Sequence, residues 1–341
     1  MKILAKIDNV KNNIWNIDNN IIILKDNTLI NLDTKRELNY KNDVIRCFYS
    51  NNYIYFIKKN ELVLLNVDFT IVNTINQSNA TGLSIFDENN YVIWFENEDG
   101  DEYYSFYKEN NAEGTADSFF GKFLDISYSY RFKKRKERSS FVLSNLLNTN
   151  TYFEYKCEPH EEIAGDIIKY KGILTFYTRE IEKELYDSKY WINVLDIKTR
   201  QIIYKILVEH YGANFNYKKG QFVSIQATNQ NNKIVKSYEI LNINNGVIQR
   251  DNFKFNEEMF SVGTAVQYID NNKLYFVDNV YSYEEQKKKS PKIGCFNVET
   301  KQIDFFEELK EAEGFSINQI ISKNDLIYVK TDNNEVFTLK I

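Results

Sequence analysis

The chain has 341 residues, of which 43% are hydrophobic, so it can bury a large core without disulfides or metal ions. Its formal net charge of -5 at pH 7 argues against a general nucleic-acid-binding protein, which would have a basic excess. Aromatic residues are frequent, with 25 Tyr and 24 Phe against 12 Gly and 2 Pro, and aromatic side chains favour the pleated surface of β-sheets.

The N-terminal residues and the cysteines bear on location. In MKILAKIDNV, Lys6 and Asp8 interrupt the apolar residues before a secretory signal can form. No stretch approaches the roughly 18 consecutive apolar residues that span a bilayer. Cys47, Cys157 and Cys295 lie far apart, which favours buried thiols in a reducing compartment. We therefore predict a cytoplasmic protein without membrane contacts.

One pattern recurs along the chain: an apolar strand, a tight turn rich in Asn, Asp, Lys or Gly, and a second apolar strand. These turn residues accept the positive φ angles of tight hairpins. We identify seven copies, at 14–25, 46–57, 83–96, 167–178, 215–226, 266–277 and 319–330. Each copy is predicted to form the first two strands, A and B, of a repeating unit.

A second pattern alternates with the first: an apolar run ending in Asp or Asn, a short polar turn and another strand, predicted as strands C and D. It occurs at 30–38, 64–73, 146–155, 194–204, 240–249 and 295–305, and 336–341 supplies only its first half. Repetition of four-stranded antiparallel units is the architecture of β-propellers. Residues 1–7 form a strand without a unit of its own, so we expect it to complete the last unit beside 335–341.

The LD-x-x-T-x-x-I form of VLDIKTRQIIY (194–204) resembles the C–D hairpin of the broad group of PQQ-like and WD40-like propellers. Members of that group that bind the quinone have regular Trp and Gly positions in each blade, whereas this chain has only Trp15, Trp94 and Trp191. The resemblance therefore implies the architecture alone, and we predict no cofactor. The alternative fold is a pair of independent β-sandwiches.

Counting both patterns predicts an all-β fold: a single-domain (1–341), seven-bladed β-propeller of four-stranded antiparallel blades, with the last blade closed by the N-terminal strand. In this count, 98–138 is a large insertion between strands B and C of blade 3, and shorter insertions lie at 179–190 and 279–292. All three would lie on one face, where loops on a rigid scaffold often determine function. The alternative count is eight blades, with SYSYRF as a strand of the additional blade.

The predicted insertions contain aromatic and basic residues of the kind that are enriched at protein interfaces. The longest begins acidic (ENEDGDE), continues through YYSFY and ends basic (RFKKRKER). The predicted interaction surface consists of Tyr103, Tyr104, Tyr107, Arg131, Lys133, Lys134, Arg135, Tyr186, Tyr190, Tyr281 and Tyr283. We therefore predict a non-catalytic platform for a protein partner, and in a narrower version the immunity (neutralising) partner of a bacterial toxin.

The only two histidines, His160 and His210, fall at predicted D–A connections of neighbouring blades. Histidine titrates near neutrality and binds metals, so these two are weak candidates at the mouth of the central channel. No spacing fixes a metal site, no common catalytic motif is present, and Cys157 is expected to be a buried small hydrophobic residue. A small-ligand-binding or hydrolytic propeller is the alternative function, and a scaffold that uses its outer strands is the third.

Overall fold

The computed structural model describes residues 1–40, 43–96, 102–117, 121–125, 127–134, 137–145, 151–181, 188–209, 211–230, 233–252, 266–282 and 284–341. The first strands are β1 (Lys2–Ile7), β2 (Trp15–Ile17), β3 (Asn20–Lys25), β4 (Thr28–Asn31), β5 (Glu37–Asn39), β6 (Val44–Ser50), β7 (Tyr53–Lys58), β8 (Glu61–Leu65), β9 (Ile71–Asn76), β10 (Ala80–Ile85), β11 (Tyr91–Glu96), β12 (Glu102–Lys108), β13 (Asn111–Asp117), β14 (Gly121–Phe123), β15 (Tyr128–Lys134), β16 (Glu137–Asn145) and β17 (Thr151–Lys156).

The remaining elements are β18 (Glu161–Tyr170), β19 (Ile173–Glu180), β20 (Tyr190–Asp196), β21 (Gln201–Val208), β22 (Asn214–Asn216), β23 (Gln221–Gln230), β24 (Lys233–Asn242), β25 (Val247–Asn252), β26 (Gln267–Asp270), β27 (Lys273–Asp278), β28 (Tyr281–Ser282), β29 (Lys287–Lys288), β30 (Lys292–Asn297), β31 (Gln302–Glu308), the 3-10 helix η1 (Lys310–Ala312), β32 (Ile317–Lys323), β33 (Leu326–Thr331) and β34 (Val336–Lys340). Within the described ranges, no helix has the length and apolar character needed to cross a bilayer.

The strands form eight four-stranded antiparallel sheets, the blades of a β-propeller. Within each blade, strands A to D follow one another from one edge of the sheet to the other. Blades 1 to 8, each given from A to D, are β2-β3-β4-β5, β6-β7-β8-β9, β10-β11-β12-β13, β14-β15-β16-β17, β18-β19-β20-β21, β22-β23-β24-β25, β26-β27-β30-β31 and β32-β33-β34-β1. The short strands β28 and β29 form a separate hairpin between strands B and C of blade 7.

The last blade is completed by the N-terminal strand, as the sequence predicts. Strand β1 pairs antiparallel with β34, in a register that runs from Lys2 opposite Lys340 to Ile7 opposite Val336. The C-terminal segment therefore supplies strand C of blade 8, and the N-terminal segment supplies strand D.

The count of seven blades is wrong, and the alternative of eight is confirmed. Residues 98–138 are not an insertion within blade 3, because they include strands C and D of that blade and strands A and B of blade 4. These hairpins lack the sequence pattern of the others for a physical reason. Strand β13 (NAEGTAD) is the edge strand of its sheet and has no large apolar residue, and β14 has 3 residues. Neither has enough apolar positions to show strand periodicity.

The central strands account for the near-continuous apolar runs in the sequence. In β7 the four residues from Ile54 to Ile57 are all buried, and in β33 the apolar residues from Ile327 to Val329 are buried. Blades 2 and 3 share one apolar cluster that includes Leu64 and Ile93, and blades 7 and 8 share another that includes Val277 and Val329. A strand covered by neighbours on both faces can be apolar at successive positions rather than at alternate ones.

The chain forms two compact units. Unit 1 comprises Met1–Ile14, Leu24–Asp26 and Ile206–Ile341 and contains blades 6, 7 and 8. Unit 2 comprises Trp15–Ile23 and Asn27–Lys205 and contains blades 2, 3 and 4. Strands of blades 1 and 5 are divided between the two units. The single domain spanning 1–341 stays a prediction.

Amide side chains connect neighbouring blades by binding backbone groups. The Asn279 side chain accepts a hydrogen bond from the Ile317 N–H at 2.8 Å and donates one to the Ile317 carbonyl at 2.8 Å. Gln319 makes the same paired contact with the backbone of Ile14, at 2.6 and 2.7 Å. We call these contacts amide bridges. A carboxamide carries a donor and an acceptor on one planar group, so it can bind both the N–H and the carbonyl of a single residue.

Candidate functional site

Each blade has two ends, which the topology defines. The A–B end has the A–B and C–D turns, and the B–C end has the B–C connection and the connection to the next blade. The sequence predicts the functional loops at the B–C ends and short turns at the A–B ends. The described residues contain candidate surfaces at both ends.

The predicted site residues Tyr103 and Tyr107 lie in a strand instead of a loop. Both belong to β12, strand C of blade 3. Tyr103 stacks on Phe95 with ring centroids 4.9 Å apart, and Tyr107 stacks on Tyr91 at 5.0 Å. These two tyrosines are therefore half-buried packing residues of blade 3.

Tyr104 and Arg131 are brought together by the contact of blades 3 and 4. Tyr104 points to the opposite face of its sheet from its neighbour Tyr103, because side chains alternate along a strand. Its ring centroid lies 5.7 Å from that of Trp94 and 5.8 Å from that of Phe123. Burial raises the pKa of Tyr104, and the positive charge of Arg131 opposes that rise.

The remaining predicted residues are dispersed. Lys133 and Lys134 belong to β15, and their side chains lie outside the described part of the chain. Tyr190 begins β20 opposite Arg179, and Tyr281 on β28 is 45% exposed. Arg135, Tyr186, Tyr283 and His210 lie outside the described residues. For these four residues, the assignment to the interaction surface or, for His210, to the channel mouth stays a prediction.

The B–C ends of blades 7 and 8 form one connected surface, which we call the loop surface. It consists of the described residues of the β28–β29 hairpin (281–282 and 284–288), the segment 309–316 that contains η1, and the turn 331–335. Lys288 of the hairpin forms an ion pair with Asp332 of the turn. The backbones of Asp332 and Ser316 are joined at 2.9 Å, and the Ser316 N–H donates to the Asp332 carboxylate at 3.2 Å. Three separate loops are thus held in one arrangement.

Aromatic residues on the loop surface are accessible to solvent. Tyr281 is 45% exposed and Phe315 is 37% exposed. Charges of both signs lie around them. Lys287 pairs with Glu285 at 2.9 Å, and hydrogen bonds from Lys289 and Lys287 lower the pKa of Glu285. Exposed aromatic side chains within a polar rim are typical of protein interfaces.

A cavity of about 500 Å³ lies at the A–B ends of blades 2, 3 and 4. Its wall is aromatic, because the Phe123 ring packs edge-on against Trp94 at 5.5 Å and against Phe86 at 5.9 Å. Ser84 also lines it, and its hydroxyl accepts a hydrogen bond from the Trp94 indole at 3.2 Å. Sequence reasoning missed this site because its residues come from short turns of three blades and form no local motif. Trp94, one of three tryptophans in the chain, was the sequence feature that could have indicated this cavity.

Three charged residues line the same cavity, and two of them have partners outside it. Lys122 pairs with Asp166 at 2.6 Å, and Asp125 pairs with Lys169. The third is Asp87, whose Oδ1 accepts hydrogen bonds from the backbone N–H groups of the following turn at 2.9 Å. Its Oδ2 accepts one from the Asn90 amide at 2.8 Å. No ion-pair partner of Asp87 occurs among the described residues.

Cys157, which lies close to His160 in the sequence, is not an activated thiol. Burial raises the pKa of the Cys157 thiol to about 12, and the Glu161 carboxylate adds to this rise. Such a thiol stays protonated at neutral pH and is a poor nucleophile. His160 is exposed, with φ of 67°. Across the described ranges, no group of three His, Cys, Asp or Glu side chains could hold a metal ion.

No protein-family model matches the chain, and no curated protein matches its sequence. Among solved structures, BamB from Moraxella catarrhalis is similar with a TM-score of 0.56 and 7% identity, over 100% of this chain and 99% of that chain. The WD40 domain of SCAP from fission yeast is similar with a TM-score of 0.52 and 8% identity, over 98% of this chain and 95% of that chain. Such low identities show the fold alone. The resemblance to WD40-like propellers is therefore confirmed as architecture, and the chain is a β-propeller of eight four-stranded blades.

Proposed function

We propose that this protein is a non-catalytic platform that binds another protein through the loop surface of blades 7 and 8. The observation that supports this most directly is the β28–β29 hairpin, which presents an exposed Tyr281. A short turn between strands B and C would be enough to complete blade 7. The extra residues therefore serve something other than the blade, and exposed loops on a rigid scaffold commonly bind partners.

The fixed geometry of the loop surface favours binding. The Lys288–Asp332 ion pair and the hydrogen bonds between Asp332 and Ser316 order three loops before any partner arrives. A surface ordered in advance loses less conformational entropy on binding, so more of the contact energy appears as affinity. Tyr281 and Phe315 then supply apolar contact area with few side-chain rotamers to restrict.

The test is affinity capture from a lysate of the source organism, with the captured proteins identified by mass spectrometry. Replacing Tyr281 and Phe315 together by Ala is expected to weaken capture of the specific partner by roughly tenfold or more. Both side chains are exposed, so the melting temperature should stay close to that of the wild type. The matched control is Tyr217→Ala, because Tyr217 is 62% exposed at the A–B end of blade 6.

Equal capture by wild type and the double variant would refute the loop surface as the binding site. Loss of capture with Tyr217→Ala alone would move the interface to the A–B end. The narrower version, in which the partner is a bacterial toxin, stays a prediction, as does the cytoplasmic location. The alternative of a small-ligand or hydrolytic site at His160 and His210 also stays a prediction, since His210 lies outside the described residues.

A further inference from the structure

We infer that the cavity at the A–B ends of blades 2, 3 and 4 binds a cationic side chain, arginine or lysine, of a protein partner. Because the occupant belongs to a protein, this inference rests on the proposed function that the chain binds another protein. The cavity volume of about 500 Å³ falls within the range of about 300–1,000 Å³ that is usual for binding pockets.

The aromatic wall suits both parts of such a side chain. Trp94, Phe86 and Phe123 offer apolar ring surface on which the methylene stem of an arginine or lysine can pack. The faces of aromatic rings also attract cations, and arginine over tryptophan is among the most favourable pairs. An uncharged apolar ligand could also pack on the wall, so the choice of a cation depends on the polar lining as well.

The charge of the lining favours a cation over an anion. Lys122 and Asp125 are each neutralised by a partner outside the cavity, namely Asp166 and Lys169. Among the described residues Asp87 has no such partner, so one negative charge lines the cavity without an opposing cation. A cationic guest would supply that charge, whereas an anionic guest would be repelled by it.

The Asp87 carboxylate is also held in place. Its Oδ1 accepts the two backbone N–H groups of the turn, and Oδ2 accepts a single hydrogen bond from the Asn90 amide. A carboxylate oxygen can accept two hydrogen bonds, so Oδ2 has capacity for a donor from a ligand. A guanidinium or ammonium group provides such a donor, and hydrogen bonds between charged groups are stronger than neutral ones.

The experiment follows the indole N–H resonances of protein labelled with 15N at tryptophan, during titration with N-acetylargininamide. The chain has three tryptophans, of which only Trp94 lines the cavity, so Trp15 and Trp191 are internal controls in the same spectrum. The Trp94 resonance, assigned with a Trp94→Phe variant, is expected to shift saturably while the others stay unchanged. The neutral isostere N-acetylcitrullinamide should bind about 3- to 30-fold more weakly, which corresponds to loss of the cation–π term.

A variant pair tests the role of the carboxylate. Asp87→Asn keeps an oxygen that accepts the backbone N–H groups of the turn but removes the charge. We expect it to lower the affinity for N-acetylargininamide by about tenfold. The matched control is Asp196→Asn, because Asp196 accepts the Thr199 N–H at 2.6 Å in a turn of blade 5 and does not line the cavity. The control should bind the probe as the wild type does.

Three outcomes would overturn the inference: no shift of Trp94, equal binding of the charged and neutral probes, or stronger binding of N-acetylglutamate amide. The probe series uses the wild-type chain, so it decides the question even if Asp87→Asn fails to fold. The proposed function is tested separately, since Tyr281 and Phe315 lie in blade 7 and in the connection to blade 8. If the Tyr281/Phe315 double variant loses capture of the partner but the wild type does not bind the arginine probe, the inference is refuted and the proposed function stands. If the wild type binds the probe but the double variant captures the partner unchanged, the loop surface is refuted and the cavity stands.

Discussion

Gly294 shows how a single missing side chain determines the packing of blade 7. A Cβ at this position would lie 2.2 Å from Cζ of Phe276, which is paired with it across strands β27 and β30. Phe276 has no exposed surface and stacks on Phe306 at 5.7 Å, so the ring has little space into which it could move. Glycine at 294 is therefore required by the close approach of an aromatic ring.

We expect Gly294→Ala to lower the free energy of unfolding by about 2–3 kcal/mol, because overpacking forces the ring or the backbone to shift. Urea denaturation followed by far-UV circular dichroism measures the change. Gly172→Ala is the control, since a Cβ there would meet nothing within 4 Å. A Gly294 variant as stable as this control would show that the Phe276 ring can move aside at little cost.

At the scale of elements, the sequence predicted most of the hairpins that build the blades and missed two of them. The central strands β7 and β33 contain buried apolar runs, Ile54 to Ile57 and Ile327 to Val329, which is why the pattern found them. Strand β13 is an edge strand with small and polar residues, and β14 is too short for any periodicity. Edge strands leave little signal because only part of their surface enters the core.

The amide bridges are a second feature of elements, because each connects a strand end to the neighbouring blade. In the bridge between blades 7 and 8, Asn279 satisfies both backbone groups of Ile317, a residue that is 1% exposed. Turn propensity alone explains an asparagine at the end of a strand. The sequence therefore could not distinguish this residue from the asparagines that only form turns.

Replacing Asn279 by Ala is expected to lower the free energy of unfolding by about 2 kcal/mol, because it leaves a buried N–H and a buried carbonyl without partners. Thermal and urea unfolding would measure this loss. Asn111→Ala is a suitable comparison, since Asn111 is exposed and donates one local hydrogen bond, to the Glu109 carbonyl. Its effect should stay within about 0.5 kcal/mol. A similar loss of unfolding free energy in both variants would mean that water replaces the hydrogen bonds of the Asn279 amide.

At the scale of the whole molecule, the pairing of the two ends of the chain completes the last blade. Strand β1 covers β34, and Lys6 adds an ion pair with Glu335. Without β1, the backbone groups of β34 on that side would face solvent as an open edge, which favours aggregation.

Deletion of residues 1–7 is expected to lower the melting temperature by several degrees or more and to promote aggregation, because blade 8 would have three strands. Differential scanning calorimetry and light scattering would detect the two effects. Removal of Ile341 alone provides the comparison, since this residue is 47% exposed and lies beyond β34. If the chain without residues 1–7 has the same melting temperature as the full-length protein, β1 contributes little to the stability of the fold.

The sequence by itself determined the all-β class, the four-stranded repeat and the pairing of the N-terminal strand with the C-terminal one. These features depend on local hydrophobic periodicity and turn residues, which can be read without knowing any distant contact. Only the tertiary structure decided that there are eight blades, because the aromatic residues of β12 and β15 pack in apolar clusters shared with neighbouring blades. For the same reason it decided that Tyr103 packs on Phe95, and that turns of three blades meet around Trp94 and Asp87 to line one cavity.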